Sequence, residues 1–298
     1  MQVGRKLPQT LDSQVFNWVL IAILAVMYAP LLVHWVIGWL MKSISIEHEY
    51  FTHAIIGFLY AAYIVWTHRR RWQSLPNKAH PLGAGLLTLG GIFYLSGLPD
   101  FINLSFPLVL TGICLWLKGI PGLRLQWFPI LLVWLGTPTQ VPYLLTPYTL
   151  PLQTFIAGVA GFILTQVGID VSIQGIYLYM KGGVVEVAPY CAGLKMLFTS
   201  LYVGLILLHW MGMISSWKRV LSLLTGAVAI SVIANILRNT LLAFFHGTQR
   251  DGLFDWLHEG WGGDFYSICM LGLIVLFASW IDDTFPMSST KAPASEAG

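Results

Sequence analysis

The sequence is organised as a series of long apolar runs separated by short polar connections. A helix that crosses the hydrocarbon core of a bilayer needs about 20 mostly apolar residues, and most of these runs approach that length. The pattern therefore predicts an all-α polytopic membrane protein with about eight transmembrane helices. The predicted spans are residues 15–41, 50–66, 81–98, 104–117, 127–145, 193–210, 220–245 and 266–281.

The positive charges predict the orientation of these spans. Lys and Arg fall in alternate connections, and short loops that carry them stay on the cytoplasmic side. This places both termini in the cytoplasm and the acidic loops on the outer, periplasmic face of the cell inner membrane. The first run, 15–41, is too long for a signal peptide and no small-residue cleavage site follows it, so we expect it to remain as an anchor.

One apolar stretch does not fit this scheme of crossings. The charges at Arg124 and Lys218 require an even number of crossings between them, yet three apolar stretches lie there. Pro151 and Gln153 interrupt the apolar face of residues 150–167, so we predict that this stretch is an interfacial or re-entrant segment.

A short β-structure and a polar tail complete the predicted architecture. Residues 171–187 carry two runs of branched and aromatic residues around a Lys-Gly-Gly turn, which predicts a small outer β-hairpin. Residues 1–281 are expected to form one integral-membrane domain. Residues 282–298, rich in Ser, Ala and Pro, are expected to be a disordered cytoplasmic tail.

Composition narrows the classes of function. The chain of 298 residues is 56% apolar and only 10% charged, whereas a soluble domain carries roughly 25% charged residues. The net charge of +3 is spread along the sequence, so no basic stripe indicates a nucleic-acid partner. Cys114, Cys191 and Cys269 lack the spacing of a disulfide scaffold or a zinc module, and we expect no metal and no cofactor.

Cys191 is the first candidate for chemistry on the outer face. It lies at the predicted start of a spanning helix, where free N–H groups and the positive end of the helix dipole favour a thiolate. Lys195, four residues further, would add a positive charge on the same helix face. The alternative is that Cys191 is a small buried apolar residue.

Arg238 and His258 are the second and third candidates. Arg238 is predicted near the outer end of its span, with Asn235 on the same face. Because a charge is costly to bury at that depth, its presence indicates a function. The alternative is a side chain that reaches the lipid headgroups. His258 lies in a glycine-rich outer loop, where it could carry protons or simply be solvated. His246 and His53 are its rivals for that role.

The order and context of these motifs resemble the exosortase/archaeosortase family of integral-membrane cysteine transpeptidases. The resemblance rests on Cys-x-Gly-Leu-Lys after a Val-Glu-Val strand, Asn-x-x-Arg late in a span, and His-x-Gly-Trp before the last span. It extends to the Tyr50-x-x-His53 element and to the lead into the hairpin at residues 168–171. Ala192 and Lys195 depart from the Ser and Arg of many relatives, and the Pro-Tyr-Cys-Ala-Gly form is closest to the cyanobacterial branch.

The resemblance implies roles for these residues. Cys191 would be the nucleophile, His258 the proton carrier and Arg238 the group that stabilises the oxyanion. The substrates would be exported proteins with a C-terminal sorting signal, made of a short motif such as Pro-Glu-Pro, a transmembrane helix and a basic end. An acceptor nucleophile of unknown identity would release the product, and membrane lipids would surround the enzyme. Supporting or substrate-binding roles are assigned to Asn235, Lys195, Glu186, His53, His246 and Trp261.

Other interpretations of the sequence remain open at this point. The chain could be a membrane acyl or glycosyl transferase that uses His258 as a base, with a structural Cys191. It could also be a non-catalytic component of an export or polymer-assembly system, in which Arg238 and Lys195 bind lipid headgroups or a partner helix. A disulfide between Cys191 and Cys269 would remove the nucleophile.

Overall fold

The structure is a computed structural model that describes residues 9–40, 50–187, 193–258 and 260–285. The chain divides into two compact units, Met1–Thr139 and Gln140–Gly298. Each unit is built around apolar helices. The helices described in the first unit are α1 (Gln9–Leu40), α2 (Ala54–Ser74), α3 (Pro81–Leu95) and α4 (Pro99–Gly136).

Helix α4 is a helical hairpin and not a straight rod. At Gly119 the backbone adopts φ 62° and ψ −154°, which breaks the helical path. The indole Nε1 of Trp134 donates to Oγ1 of Thr111 at 3.2 Å, although a straight helix would separate these residues by about 35 Å along its axis. Glycine is required at the reversal, because a Cβ at Gly119 would lie 2.7 Å from the carbonyl oxygen of Lys78.

The two halves of α4 correspond to the predicted spans 104–117 and 127–145, but the second half ends earlier than predicted, at Gly136. Thr137 is extended, with ψ 121°, because the following Pro138 disfavours the helical conformation of the residue before it. The helix therefore ends at Gly136, nine residues before the predicted boundary at residue 145.

Buried polar contacts hold α1 against α4 in the first unit. The indole Nε1 of Trp35 donates to Oδ1 of Asn103 at 2.9 Å, and the hydroxyl of Tyr28 lies 3.0 Å from Oγ of Ser105. The ring of Trp35 also meets Phe106 edge-on, with centroids 5.8 Å apart. In apolar surroundings each of these polar groups needs such a partner, so the contacts fix how the two helices are rotated.

The second unit surrounds one long helix, α8, with other helices and a small sheet. Its elements are α5 (Val141–Leu145), a 3₁₀ turn (Thr146–Thr149), α6 (Leu150–Gln166), α7 (Leu194–Trp210), a second 3₁₀ turn (Met213–Ser215), α8 (Trp217–Gly247), α9 (Asp251–His258) and α10 (Trp261–Thr284). Apolar clusters join α8 to α6 through Ile236 and Ile156, and join it to α7 and α10 through Leu223, Leu208 and Ile281.

The β-structure has three strands where the sequence predicted a two-stranded hairpin. Strands β1 (Val171–Gln174), β2 (Tyr177–Met180) and β3 (Gly183–Glu186) form an antiparallel sheet in the order β1-β2-β3. The first predicted run is divided by a two-residue turn in which Gly175 adopts φ 61°, a conformation that favours glycine. This turn was not predicted, because Gly175 lies within a run of residues with strong β-propensity.

Five helical segments are long and apolar enough to cross a membrane, by length and composition among the described residues. They are Ala22–Leu40, Pro99–Gly136, Val141–Gln166, Trp217–Gly247 and Trp261–Thr284, with Pro81–Leu95 and Leu194–Trp210 as shorter apolar helices. Helix α2 is not among them because its last turns carry Arg69, Arg70 and Arg71. A multi-pass helical protein is thus confirmed, while the count of eight spans is not.

The ends of two predicted segments can be compared with the structure. The segment Val141–Gln166 has the length and composition of a span, but these do not decide whether it crosses, so the prediction that 150–167 does not cross stays a prediction. Its prolines fit the helical path because they fall in the first positions of α5, of the 3₁₀ turn and of α6. At the other end, α10 continues to Thr284, and Arg219 Nη1 lies 3.1 Å from Oδ1 of Asp282.

Candidate active site

Helix α8 carries buried polar side chains on an otherwise apolar helix. Ser231, Asn235 and Asn239 are spaced four residues apart and are each at most 3% exposed. Residues at this spacing lie on one face of a helix. Arg238 follows Asn235 by three residues and lies beside this stripe. The candidate site of the second unit is built on this part of α8.

The guanidinium of Arg238 is held by backbone carbonyl groups at the end of α9. Its Nη2 donates to the carbonyl oxygen of His258 at 3.2 Å and approaches that of Leu257 at 3.4 Å. Gly263 lies beside the same carbonyl groups, since a Cβ there would lie 2.9 Å from the carbonyl oxygen of Leu257. The Nε of Arg238 is buried and has no hydrogen-bond partner among the described residues. The Nη2 of the guanidinium is thus held by a hydrogen bond, whereas its Nε donor is not used within the described residues.

The side-chain amide of Asn235 is fixed in a similar way. Asn239 donates its Nδ2 to Oδ1 of Asn235 at 3.2 Å and to the backbone oxygen of Asn235 at 2.9 Å. Asn235 therefore presents its acceptor to Asn239 and its own Nδ2 to the other side. That Nδ2 is buried, and within the described part of the chain it has no hydrogen-bond partner.

Asn235 packs against Gly193, the residue that precedes α7. Gly193 adopts φ 82°, and a Cβ at this position would lie 2.8 Å from Nδ2 of Asn235. The sequence needs glycine here for both reasons, the backbone conformation and the close approach. The unpaired amide thus lies next to the end of the segment 188–192.

Cys191 belongs to this segment and lies outside the described residues. Helix α7 begins at Leu194, and the left-handed conformation of Gly193 interrupts a helical path before it. Helical spacing therefore does not relate Lys195 to Cys191, contrary to the argument made from the sequence. Lys195 itself is partly buried in the first turn of α7.

Two of the three histidines of the second unit, His246 and His258, lie against the same phenylalanine. The ring of His258 stacks on that of Phe254, with centroids 5.2 Å apart. The ring centroid of His246 lies 5.5 Å from that of Phe254. His246 also contacts the sheet, because a Cβ at Gly183 would lie 2.5 Å from its Nε2. Only His258 belongs to the residue pair whose carbonyl oxygens receive Arg238.

A tight turn between α9 and α10 places His258 beside α8. The N–H of Gly260 donates to the carbonyl oxygen of Asp255 at 3.0 Å, and the N–H of Gly263 donates to that of Gly260 at 3.1 Å. From α10, the hydroxyl of Tyr266 donates to the carbonyl oxygen of Ala234 at 2.6 Å, one residue from Asn235. These bonds tie both sides of the turn to the polar part of α8.

The remaining predicted residues are more distant from this cluster or belong elsewhere. Trp261 is 86% exposed at the start of α10, and Glu186 is exposed at the end of β3. His53 belongs to the first unit, where it is 5% exposed and its ring lies 6.0 Å from that of Phe51. The structure thus brings the guanidinium of Arg238 to the backbone carbonyl oxygen of His258, three residues along α8 from Asn235.

Two alternatives from the sequence can be compared with the structure directly. Cys269 is an exposed free thiol, and Cys191, the partner considered from the sequence, lies outside the described residues. Within the described ranges, His, Cys, Asp and Glu side chains form no group of three or more that could hold a metal ion.

Comparison with known protein families identifies the group to which this fold and site belong. The family model of transmembrane exosortases matches residues 39–275, well over half of the chain of 298 residues. The chain belongs to the transmembrane exosortase family. The resemblance seen in the sequence is thereby confirmed, and the match says nothing about a cyanobacterial branch. No curated protein and no solved structure matches the chain.

Three further residues contact the candidate site and were not predicted from the sequence. Asn239 orients Asn235, Gly193 admits the amide beside it, and Tyr266 fixes α10 against α8. The spacing of Asn235 and Asn239 by four residues was visible in the sequence as a sign of a shared helix face. The backbone conformation of Gly193 gave no such sign.

Proposed function

We propose that this exosortase is a membrane-embedded cysteine transpeptidase that cleaves a C-terminal sorting signal of exported proteins and transfers them to an acceptor. The observation that carries the proposal is the pair of buried, unpaired donors, Asn235 Nδ2 and Arg238 Nε, on one helix beside Gly193. Two peptide units separate Gly193 from Cys191, a reach of about 7 Å. Donors that have no partner within the protein are suited to an oxyanion that forms only during reaction.

In the proposed reaction, the Cys191 thiolate attacks the scissile carbonyl carbon and a C–S bond forms. The carbonyl oxygen becomes an oxyanion and accepts hydrogen bonds from Asn235 and Arg238. As the C–N bond breaks, protonated His258 gives its proton to the leaving amine, and a thioester remains on Cys191. The acceptor amine then attacks the thioester, loses its proton to His258 and releases the Cys191 thiolate.

The substrate class follows from the family and from the site's position in an apolar protein. A substrate with a transmembrane helix can be held in the bilayer, with a short motif such as Pro-Glu-Pro presented to the site and a basic end on the cytoplasmic side. We place the site on the outer, periplasmic face of the inner membrane and both termini in the cytoplasm, as the distribution of Lys and Arg supports.

The proposal is tested with a designed reporter in proteoliposomes. The reporter joins an exported domain to Pro-Glu-Pro, a helix of about 20 apolar residues and an Arg-rich end. We expect the wild type to shorten the reporter and hydroxylamine to release an acyl hydroxamate from a Cys191 thioester. Cys191→Ala should abolish both, while Cys269→Ala, which removes an exposed thiol of the same unit, should retain both.

Each contrary result points to a different function. A Cys191→Ala variant that still modifies the reporter indicates the acyl or glycosyl transferase, with His258 as base. A wild-type protein that neither shortens the reporter nor forms the thioester, even with host membrane extract as the source of acceptor, indicates the non-catalytic assembly component. Either result refutes the proposed transpeptidase.

A further inference from the structure

Strand β3, which precedes Cys191 in the sequence, forms an open edge of the sheet. Strand β3 pairs with β2 on one side, and no strand among the described residues pairs with its other side. The strand ends at Glu186, and the segment that contains Cys191 follows after Val187. An unpaired edge offers a row of backbone donors and acceptors to any extended chain.

The register of the sheet identifies which backbone groups face this edge. The N–H of Val187 donates to the carbonyl oxygen of Ile176 at 2.9 Å, so this pair is hydrogen-bonded. Hydrogen-bonded and non-hydrogen-bonded pairs alternate along an antiparallel ladder, so Val185 also bonds to β2. The N–H and C=O groups of Val184 and Glu186 therefore point away from β2, towards the open edge.

Strand β3 lies close to the helices that carry the candidate site. Both β3 and α9 lie against α8. His246 of α8 links them at one end, because a Cβ at Gly183 of β3 would lie 2.5 Å from its Nε2 and its ring centroid lies 5.5 Å from that of Phe254 in α9. At the end of α9, the carbonyl oxygen of His258 holds Arg238. The open edge of β3 and the candidate site therefore belong to one group of packed elements.

We propose that the substrate segment next to the scissile bond binds as an added β-strand on the open edge of β3. The inference rests on the proposed transpeptidase function and names how that site holds its substrate. The ligand is an extended peptide that exchanges backbone hydrogen bonds with Val184 and Glu186. Its alternate side chains lie beside the exposed side chains of these two residues, of which Val184 is 50% exposed.

The shortness of β3 favours a substrate segment over a second copy of the chain. Its four residues extend over about 13 Å, enough for an extended segment of about four residues. Only Val184 and Glu186 offer outward backbone groups within it, and so small an edge gives little for a lasting association of two chains. A peptide whose following helix is already held in the bilayer needs only this added contact for its alignment.

The test removes one outward N–H without changing the sheet ladder. Val184→Pro deletes the N–H that faces the open edge, a position where an edge strand tolerates proline. Its matched control is Val184→Ala, which shortens the same side chain and keeps the N–H. With the reporter in proteoliposomes, we expect Val184→Pro to raise KM about five- to tenfold and Val184→Ala to stay within about twofold of wild type, because one backbone hydrogen bond is lost.

A second measurement tests whether Val184→Pro damages the fold. Alkylation of Cys191 by iodoacetamide without reporter should proceed at the wild-type rate in Val184→Pro, as a variant that only loses a substrate contact would show. As an independent measurement, short soluble Pro-Glu-Pro-containing peptides with one N-methyl group at successive positions are tested as competitive inhibitors of the wild type. N-methylation should weaken inhibition at alternate positions, since alternate residues of a strand face one edge.

The outcomes distinguish this inference from the proposed function. If the wild type processes the reporter but Val184→Pro behaves like Val184→Ala and N-methylation shows no alternation, the added strand is refuted and the transpeptidase stands. If Val184→Pro slows alkylation, the peptide series alone decides. If the wild type forms no thioester, the proposed transpeptidase function is refuted by the wild type alone, before any variant is compared.

Discussion

The orientation of the Asn235 amide depends on one neighbour, and this dependence can be inverted by a single change. Asn239 donates its Nδ2 to Oδ1 of Asn235 at 3.2 Å, and both residues are nearly inaccessible to solvent. Asn239→Asp replaces that donor by a carboxylate of the same shape, which only accepts. The favourable response is a half-turn of the Asn235 amide, so that its Nδ2 donates to the new Asp and its Oδ1 faces Gly193.

In the proposed reaction, the half-turn would replace a donor to the oxyanion by an acceptor. Loss of one oxyanion donor typically lowers kcat by 10²–10³, or about 3–4 kcal/mol. We therefore expect Asn239→Asp to lower kcat at least 100-fold, as much as Asn235→Ala. Asn239→Ala only releases the amide, so both orientations are populated and kcat should fall about two- to fivefold.

The assay is single-turnover formation of the Cys191 thioester from the reporter, with the double variant Asn235→Ala/Asn239→Asp alongside. If Asn239 acts through Asn235, the double variant should be no slower than Asn235→Ala alone, because the effects of residues in one network do not add. Ser231→Ala, on the same stripe of α8, is the control for a general disturbance of the helix. Rates that multiply in the double variant, or a wild-type rate for Asn239→Asp, would refute the reasoning.

Three further changes test the other contacts of the second unit. Arg238→Lys should lower kcat at least 100-fold in the same assay, because an ammonium group cannot hold the backbone carbonyls and also present the fork of a guanidinium; a loss below tenfold would contradict this. Gly193→Ala and Gly212→Ala both place Cβ at positive φ, at a cost of about 1–2 kcal/mol, but only Gly193→Ala meets a neighbouring side chain, so it alone should slow thioester formation more than tenfold. Asp282→Asn should lower the Tm in detergent more than Arg219→Met, because it leaves a guanidinium that is 3% exposed without its counter-charge; equal shifts would show that the ion pair contributes little.

Much of the helical architecture could be predicted from the sequence because lipid imposes a length on apolar runs. The two halves of α4 illustrate both the success and its limit. The basic connection at Lys118 and Arg124 correctly indicated a reversal between two apolar segments. The predicted span was extended across the polar residues 137–140 because apolar residues resume at Val141. The helix instead ends before this interruption, where the local effect of Pro138 on Thr137 decides the boundary.

The site could be predicted in kind but not in detail. Arg238 stands out in the sequence because charge within a span is rare, and Asn235 follows from the helical spacing. The left-handed conformation of Gly193 depends on the contact between the start of α7 and α8, which no local pattern encodes. The third strand could not be predicted either, because Gly175 divides one predicted strand into two.

A buried polar atom without a hydrogen-bond partner does not by itself indicate a functional site. The neighbouring residues distinguish the atoms of the candidate site from the others. Gln153 of α6 also has a buried amide nitrogen without a hydrogen-bond partner among the described residues, although it is not beside a glycine that leads to Cys191. Each such donor costs about 1–3 kcal/mol of stability. Asn235 and Arg238 share this cost on one helix, three residues apart, and each is held in place by a separate bond at another of its atoms. A helix under selection for stability alone gains nothing from either donor, whereas in the proposed reaction the two donors would recover that cost when the oxyanion forms.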